Sequence, residues 1–177
     1  MTLAADRPDI AGIILAGGQS RRMGRDKAAM DVQGQTFLQR ARSLLHAVGC
    51  NPVLISGRPD LPGGVPDQQP GAGPAQAMLD CLDAIPAHCK GGLFIPVDMP
   101  LLEPEDLCSL ISPEGSRSRA WRGHPLPVFV SAAEARPDRQ DVRSVKFLLE
   151  RLEIDQLDLA EERGPRFRNV NTPEDWA

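Results

Sequence analysis

The sequence predicts an α/β protein with a three-layer, mostly parallel, doubly wound (Rossmann-like) sheet. Short apolar, β-branched runs alternate with segments whose apolar residues recur at helical spacing, the pattern of successive βαβ units. Seventeen prolines and sixteen glycines punctuate these segments without forming a low-complexity tract or an internal repeat. The length of 177 residues, 41% hydrophobic and 25% charged, suits one domain with a sizeable core.

Taken in order, Ala11–Leu15 reads as a buried strand. Thr36–Val48 reads as a helix with Phe37, Leu38, Ala41, Leu44, Leu45 and Val48 on one face and Gly49 as its stop. Pro52–Ile55 is a second strand, and Pro74–Ile85 a helix with proline at its first turn. Gly92–Val97 is a buried strand ending at Asp98, and Pro104–Ile111 a short helix. Pro125–Val130 is a strand whose prolines limit its pairing. Asp141–Leu152 is an amphipathic helix and Phe167–Val170 a last short strand. Between them, the Pro- and Gly-rich stretch from Arg58 to Pro74 reads as a long functional loop rather than a linker.

The net charge of −4 argues against a nucleic-acid partner, whose footprint is a broad basic face. Cys50, Cys81, Cys89 and Cys108 have no CxxC or zinc spacing and read as reduced thiols. The start, MTLAADRPD, lacks the layout of a signal peptide, and no apolar run approaches the ~20 residues of a membrane span. A cytoplasmic protein with no membrane partner is expected. His46, His88 and His124 are scattered, and no nucleophile–base arrangement shows locally.

Open α/β sheets bind ligands beyond the carboxyl ends of their strands. That rule selects the segments after Leu15, Ile55 and Val97. After the first strand comes ILAGGQSRRMGRDK, with three glycines, three arginines and a lysine in fourteen residues. It matches neither GxxxxGK[ST] nor GxGxxG. A solvated basic turn is the plain reading, but its position favours a polyphosphate cradle. Gly17 and Gly18 allow backbone N–H groups to approach phosphates, while Arg22 and Lys27 neutralise their charge. In PVDMPLL, Asp98 suits either an N-cap or a Mg²⁺ ligand that shares the ion with phosphate oxygens. Near GAGPAQ, Asp67 is a candidate base reader, because a carboxylate can accept from both N1–H and the 2-amino group of guanine.

Together LAGGQSRRMGRDK, PVDMPLL and the terminal NVNTPEDW resemble the molybdenum cofactor guanylyltransferases, a branch of the nucleotidyltransferases with an LAGG or LAAG loop. The resemblance runs from about Ile10 to Trp176. It implies a nucleotide-diphospho-sugar-transferase-like fold and one nucleotidyltransferase domain over residues 1–177, with 1–9 as a flexible N-terminus. It also implies transfer of GMP from GTP to the terminal phosphate of molybdopterin or its molybdenum form, giving a guanine dinucleotide cofactor and pyrophosphate. Transient contact with molybdoenzymes or cofactor-synthesis proteins follows from that role.

Residue by residue, the resemblance gives Leu15, Ala16, Gly17 and Gly18 contacts to GTP, and Lys27 the phosphates. Asp67 would meet guanine, and Asp98 would hold Mg²⁺ and the nucleotide. Arg22, Lys27 and Asp98 would be the catalytic set, and Asn169 and Asn171 would hold the pterin. Ser56 joins the nucleotide contacts at a position where the family often has asparagine, and Ala77 stands where a glycine is frequent. Alternatives are cytidylyl transfer to molybdopterin, nucleotidyl transfer to a sugar or cobinamide phosphate, and a non-catalytic nucleotide-binding chaperone of a molybdoenzyme.

Overall fold

The computed structural model describes residues 9–16, 26–32, 34–112 and 115–170. Strand β1 (Ile10–Leu15) leads through a 3₁₀ turn (Lys27–Ala29) to a small hairpin, β2 (Asp31–Val32) and β3 (Gln35–Thr36). Helix α1 (Phe37–Ala47) follows at once, because Thr36 and Gln39 form a capping box: Gln39 N–H donates to Thr36 Oγ1 at 3.1 Å, and Thr36 N–H to Gln39 Oε1 at 2.9 Å. Next come β4 (Val53–Ser56), β5 (Gly64–Val65) and α2 (Pro74–Ala84), which opens on the expected proline. The chain then forms β6 (Gly91–Pro96), α3 (Pro104–Cys108), β7 (Arg119–Trp121), β8 (His124–Ser131), α4 (Val145–Arg151) and β9 (Asp155–Leu157).

Seven strands make one sheet in the order β5-β4-β1-β6-β8-β7-β9. The first four are parallel, β8 runs antiparallel to both β6 and β7, and β9 returns parallel to β7. Alternate side chains along β1 supply the two faces, as the strand period of two requires. Ile10 and Ile14 join Phe37, Leu45 and Leu107 on the α1/α3 side, while Ala11, Ile13 and Leu15 join Met78, Leu79, Leu148 and Leu149 on the α2/α4 side. Two buried layers against one sheet make the expected three-layer α/β architecture.

Three expectations need correction. Residues 167–170 form no strand: a 3₁₀ helix over Glu161–Phe167 runs into them, and the sheet ends instead on β9, whose polar sequence gave no strand signal. The helix expected from Asp141 begins at Val145, because Ser144 caps it and the carbonyls of Arg139 and Val142 accept from Gln76 Nε2 at 2.7 and 3.1 Å. The helix expected to reach Ile111 stops at Cys108. In β8 the prolines act as expected: pairing to β6 begins only at Val128, and the register to β7 shifts beside Pro125 and Pro127.

The centre of the sheet leaves no room at Gly91, which is paired with Ile10 on one side and Ser131 on the other. A Cβ there would meet the Val130 carbonyl oxygen at 2.4 Å and the Phe129 ring at 2.7 Å. Gly91→Ala is therefore expected to cost about 1–3 kcal/mol, lowering the melting temperature by about 3–10 °C in thermal unfolding. The four cysteines are not joined in disulfides, and no helix among the described residues is long and apolar enough to cross a membrane.

Candidate active site

The carboxyl ends of β4, β1 and β6 lie side by side, with Leu15 in register with both Ser56 and Pro96. The Leu15 carbonyl accepts from Val97 N–H at 3.3 Å, which draws the start of the PVDMP turn against the exit of β1. Within that turn Asp98 meets Lys27: Nζ donates to Oδ2 at 3.0 Å across 71 residues of sequence. Both side chains are half-buried, with 27% and 18% of their surfaces exposed.

Lys27 is placed by its neighbours. Ala28 is buried in the α1-side core, and Asp26 caps the 3₁₀ turn by accepting from Ala28 N–H at 3.1 Å. The other Asp26 oxygen holds Arg58, just past β4, at 2.6 Å. A lysine and a carboxylate drawn from two loops thus face each other at the edge of the sheet where open α/β folds bind ligands.

The C-terminal segment closes on the same place. Arg163 and Arg166 pair with Glu103, Glu105 and the fully buried Asp106 of the α3 region. The Arg166 bond and the nearby Arg163 charge hold the Glu105 carboxyl below its usual range. Phe167 packs edge-on to Trp121, with ring centroids 6.3 Å apart, and the Trp121 indole N–H donates to the Asp106 carbonyl at 2.9 Å. The chain then reaches Val170, whose N–H donates to the carbonyl of Asp98 at 2.8 Å. Asn169, exposed, directly precedes this anchor.

A second group lies toward β5. Ser56 is buried and hydrogen-bonded to Cys81, whose thiol is pushed up to about 12 by burial, pulled down by Ser56, and pushed up again by Asp80 and Asp67. Asp67 is half-buried, with Oδ1 enclosed and without a hydrogen-bond partner among the described residues. Burial, and then the charge of Asp80, push its carboxyl above the usual range. Asp80, on α2, accepts from Gln68 N–H at 2.9 Å and from Arg139 Nη1 at 2.6 Å.

The structure thus brings Leu15, Ala16, Lys27, Ser56, Asp67, Asp98 and Asn169 to one edge of the sheet, in two groups. Gly17, Gly18, Arg22 and Asn171 lie outside the described residues.

Residues 12–153 match the family described as MobA-like NTP transferase domain. The chain belongs to that family. It is a nucleotidyltransferase, so the non-catalytic chaperone alternative falls away. The molybdenum cofactor guanylyltransferase of Xanthomonas euvesicatoria is 32% identical over 174 residues, spanning 94% of this chain and 92% of that protein. The MobA-like fold recurs in molybdopterin-guanine dinucleotide biosynthesis protein A from Archaeoglobus fulgidus, with a TM-score of 0.69 at 20% identity over 93% and 94% of the two chains. It recurs in a manganese complex of a Mycobacterium tuberculosis protein, with a TM-score of 0.64 at 17% identity over 95% and 96%. In this MobA-like chain, sequence reasoning missed Arg58, Asp80 and Arg139. Their partners lie 32, 12 and 59 residues away, and no local spacing reports such pairs.

Proposed function

We propose that this nucleotidyltransferase transfers GMP from GTP to the terminal phosphate of molybdopterin or its molybdenum form, releasing pyrophosphate. The guanylyltransferase relative supports the reaction, and the half-buried Asp67 carboxylate, placed just past β5 at the same edge of the sheet, supports the choice of base. An ionised carboxylate at the site edge is matched by the N1–H and 2-amino donors of guanine, whereas cytosine and adenine lack that donor pair.

The substrate phosphate has a second pKa of about 6 and is largely ionised at neutral pH, so no general base is needed. Its oxygen attacks the α-phosphorus in line, the new P–O bond forms, and the bond to pyrophosphate breaks. Lys27 and Arg22 offset charge on the phosphates, and backbone groups of Leu15, Ala16, Gly17 and Gly18 line them. Ser56, its hydroxyl turned to Cys81, would contribute through its backbone. Asn169 and Asn171 would hold the pterin.

Asp98 offers one hard carboxylate, and no cluster of three or more acidic, His or Cys side chains among the described residues could hold a metal alone. That donor set fits Mg²⁺ shared with the nucleotide's own phosphate oxygens. Bound there, the ion would supply Lewis-acid stabilisation of phosphoryl charge. The reading carries with it a cytoplasmic setting and transient contact with the molybdoenzymes that receive the product.

Pyrophosphate release measured with each of the four triphosphates, with and without molybdopterin, tests the reading. GTP is expected to exceed CTP by about 100-fold or more in kcat/KM, because a site built around a hydrogen-bonding group strongly rejects bases that cannot match it. A CTP preference, or release equally fast without the pterin, overturns it.

A further inference from the structure

Asp80 lies at the junction of two loops. From α2, 3% exposed, it holds the backbone of Gln68, next to Asp67, through one oxygen and Arg139 through the other. Arg139 belongs to the irregular segment between β8 and α4 and is fixed at both ends. Its guanidinium also pairs with Asp83, and its carbonyl accepts from Gln76 Nε2. Helix α2 therefore presents Gln76, Asp80 and Asp83 as one platform for Arg139, while Asp80 alone reaches across to the Asp67 loop.

We propose that Asp80 and Arg139 form a positioning latch that sets purine specificity by holding Asp67 in register with the guanine edge. The proposal rests on Asp67 as the base-reading group. Neither latch residue touches the nucleotide; both act through Asp67. Asp80 fixes the position of the Asp67 loop through a bond to its backbone, which any loop sequence could use. Its charge, however, lies beside Asp67, and two neighbouring carboxylates disfavour joint ionisation. Arg139 supplies the compensating cation, so that the loop is held in place and Asp67 remains an acceptor. Without the guanidinium, the Asp80 carboxylate loses the partner that fixes its orientation, and the Gln68 backbone beside Asp67 loses a fixed anchor.

The test is calorimetric titration of the full chain with GTP and with ITP, which lacks the 2-amino group. It is paired with kcat and KM for GTP and with thermal unfolding. Asp67→Asn serves as the reference and is expected to bring the GTP/ITP affinity ratio close to one. Asp80→Ala and Arg139→Gln are expected to shrink that ratio by about 3–10-fold, as small misplacements of a binding group do. Both should leave kcat at saturating GTP within about twofold, because Lys27 and Asp98 are held separately. Arg139→Lys, which keeps the charge, should recover part of the ratio. If Asp80→Ala does not fold, Arg139→Gln, in the irregular loop, carries the test. A wild-type ratio in Arg139→Gln alongside a collapsed ratio in Asp67→Asn overturns the latch and leaves the base reading intact. A wild-type ratio in Asp67→Asn overturns both.

Discussion

Asp98→Ala is expected to lower kcat/KM for GTP by about 10³-fold or more, the loss typical of removing a group that stabilises transition-state charge. The effect should be chemical and not structural, because the structural bond of Asp98 is made by its backbone. Asp98 holds the C-terminal segment through its carbonyl, which accepts from Val170 N–H at 2.8 Å and is untouched by the substitution. Only the carboxylate is lost, and with it the partner of Lys27 Nζ at 3.0 Å. The pair is half-buried, so its loss should move the melting temperature by no more than a few degrees. Asp98→Asn, which keeps the shape and removes the charge, should be nearly as impaired. Pyrophosphate release and thermal unfolding on the same preparations separate the two effects. Near-normal turnover in either variant would sink the assignment of Asp98 to the chemistry.

The parallel half of the sheet was legible because its signals are local. The buried strands β1, β4 and β6 read as short apolar runs, and α1 and α2 as helical spacing with a capping box or an initial proline. The other half is held by pairing rather than by composition. The three residues of β7 and the three of β9 become strands only because β8 offers an edge and β7 then offers another. Phe167–Val170 looked like a strand because Phe167 and Val170 are apolar. They are buried, but by packing on Trp121 and anchoring on Asp98, not by a ladder. The site divides in the same way. Lys27 and Asp98 could be anticipated, since the edge rule for α/β sheets brings loop ends together whatever their separation in sequence. Asp80 could not be distinguished from a residue on the polar face of α2, because the groups that hold it, the Gln68 N–H and Arg139, come from loops outside the helix.

Asp67→Asn is expected to stabilise the nucleotide-free protein while weakening GTP binding, an opposition that a purely structural aspartate would not show. Oδ1 is enclosed without a partner among the described residues, and burial, followed by the nearby charge of Asp80, raises the carboxyl above the ordinary aspartate value. The folded chain therefore binds the Asp67 proton more tightly than the unfolded chain does. Stability from this group is present below the unfolded pKa, falls as pH rises through the folded pKa, and stays lost at neutral pH. Asparagine removes that charge, so melting at neutral pH should rise by about 2–4 °C, the shift of roughly 1 kcal/mol in a chain of this size. Binding moves the other way. The amide cannot accept from both guanine donors, and the KM for GTP should rise by about 10–100-fold, the loss of a charge-assisted hydrogen-bond pair. In the wild type, the KM for GTP should climb as pH is lowered, beginning at a higher pH than an ordinary aspartate would give. That dependence should vanish in Asp67→Asn. Thermal unfolding and initial rates across a pH series measure both arms. An Asp67→Asn variant that melts lower and binds GTP normally would make Asp67 a structural residue and return the choice of base to other parts of the loop edge.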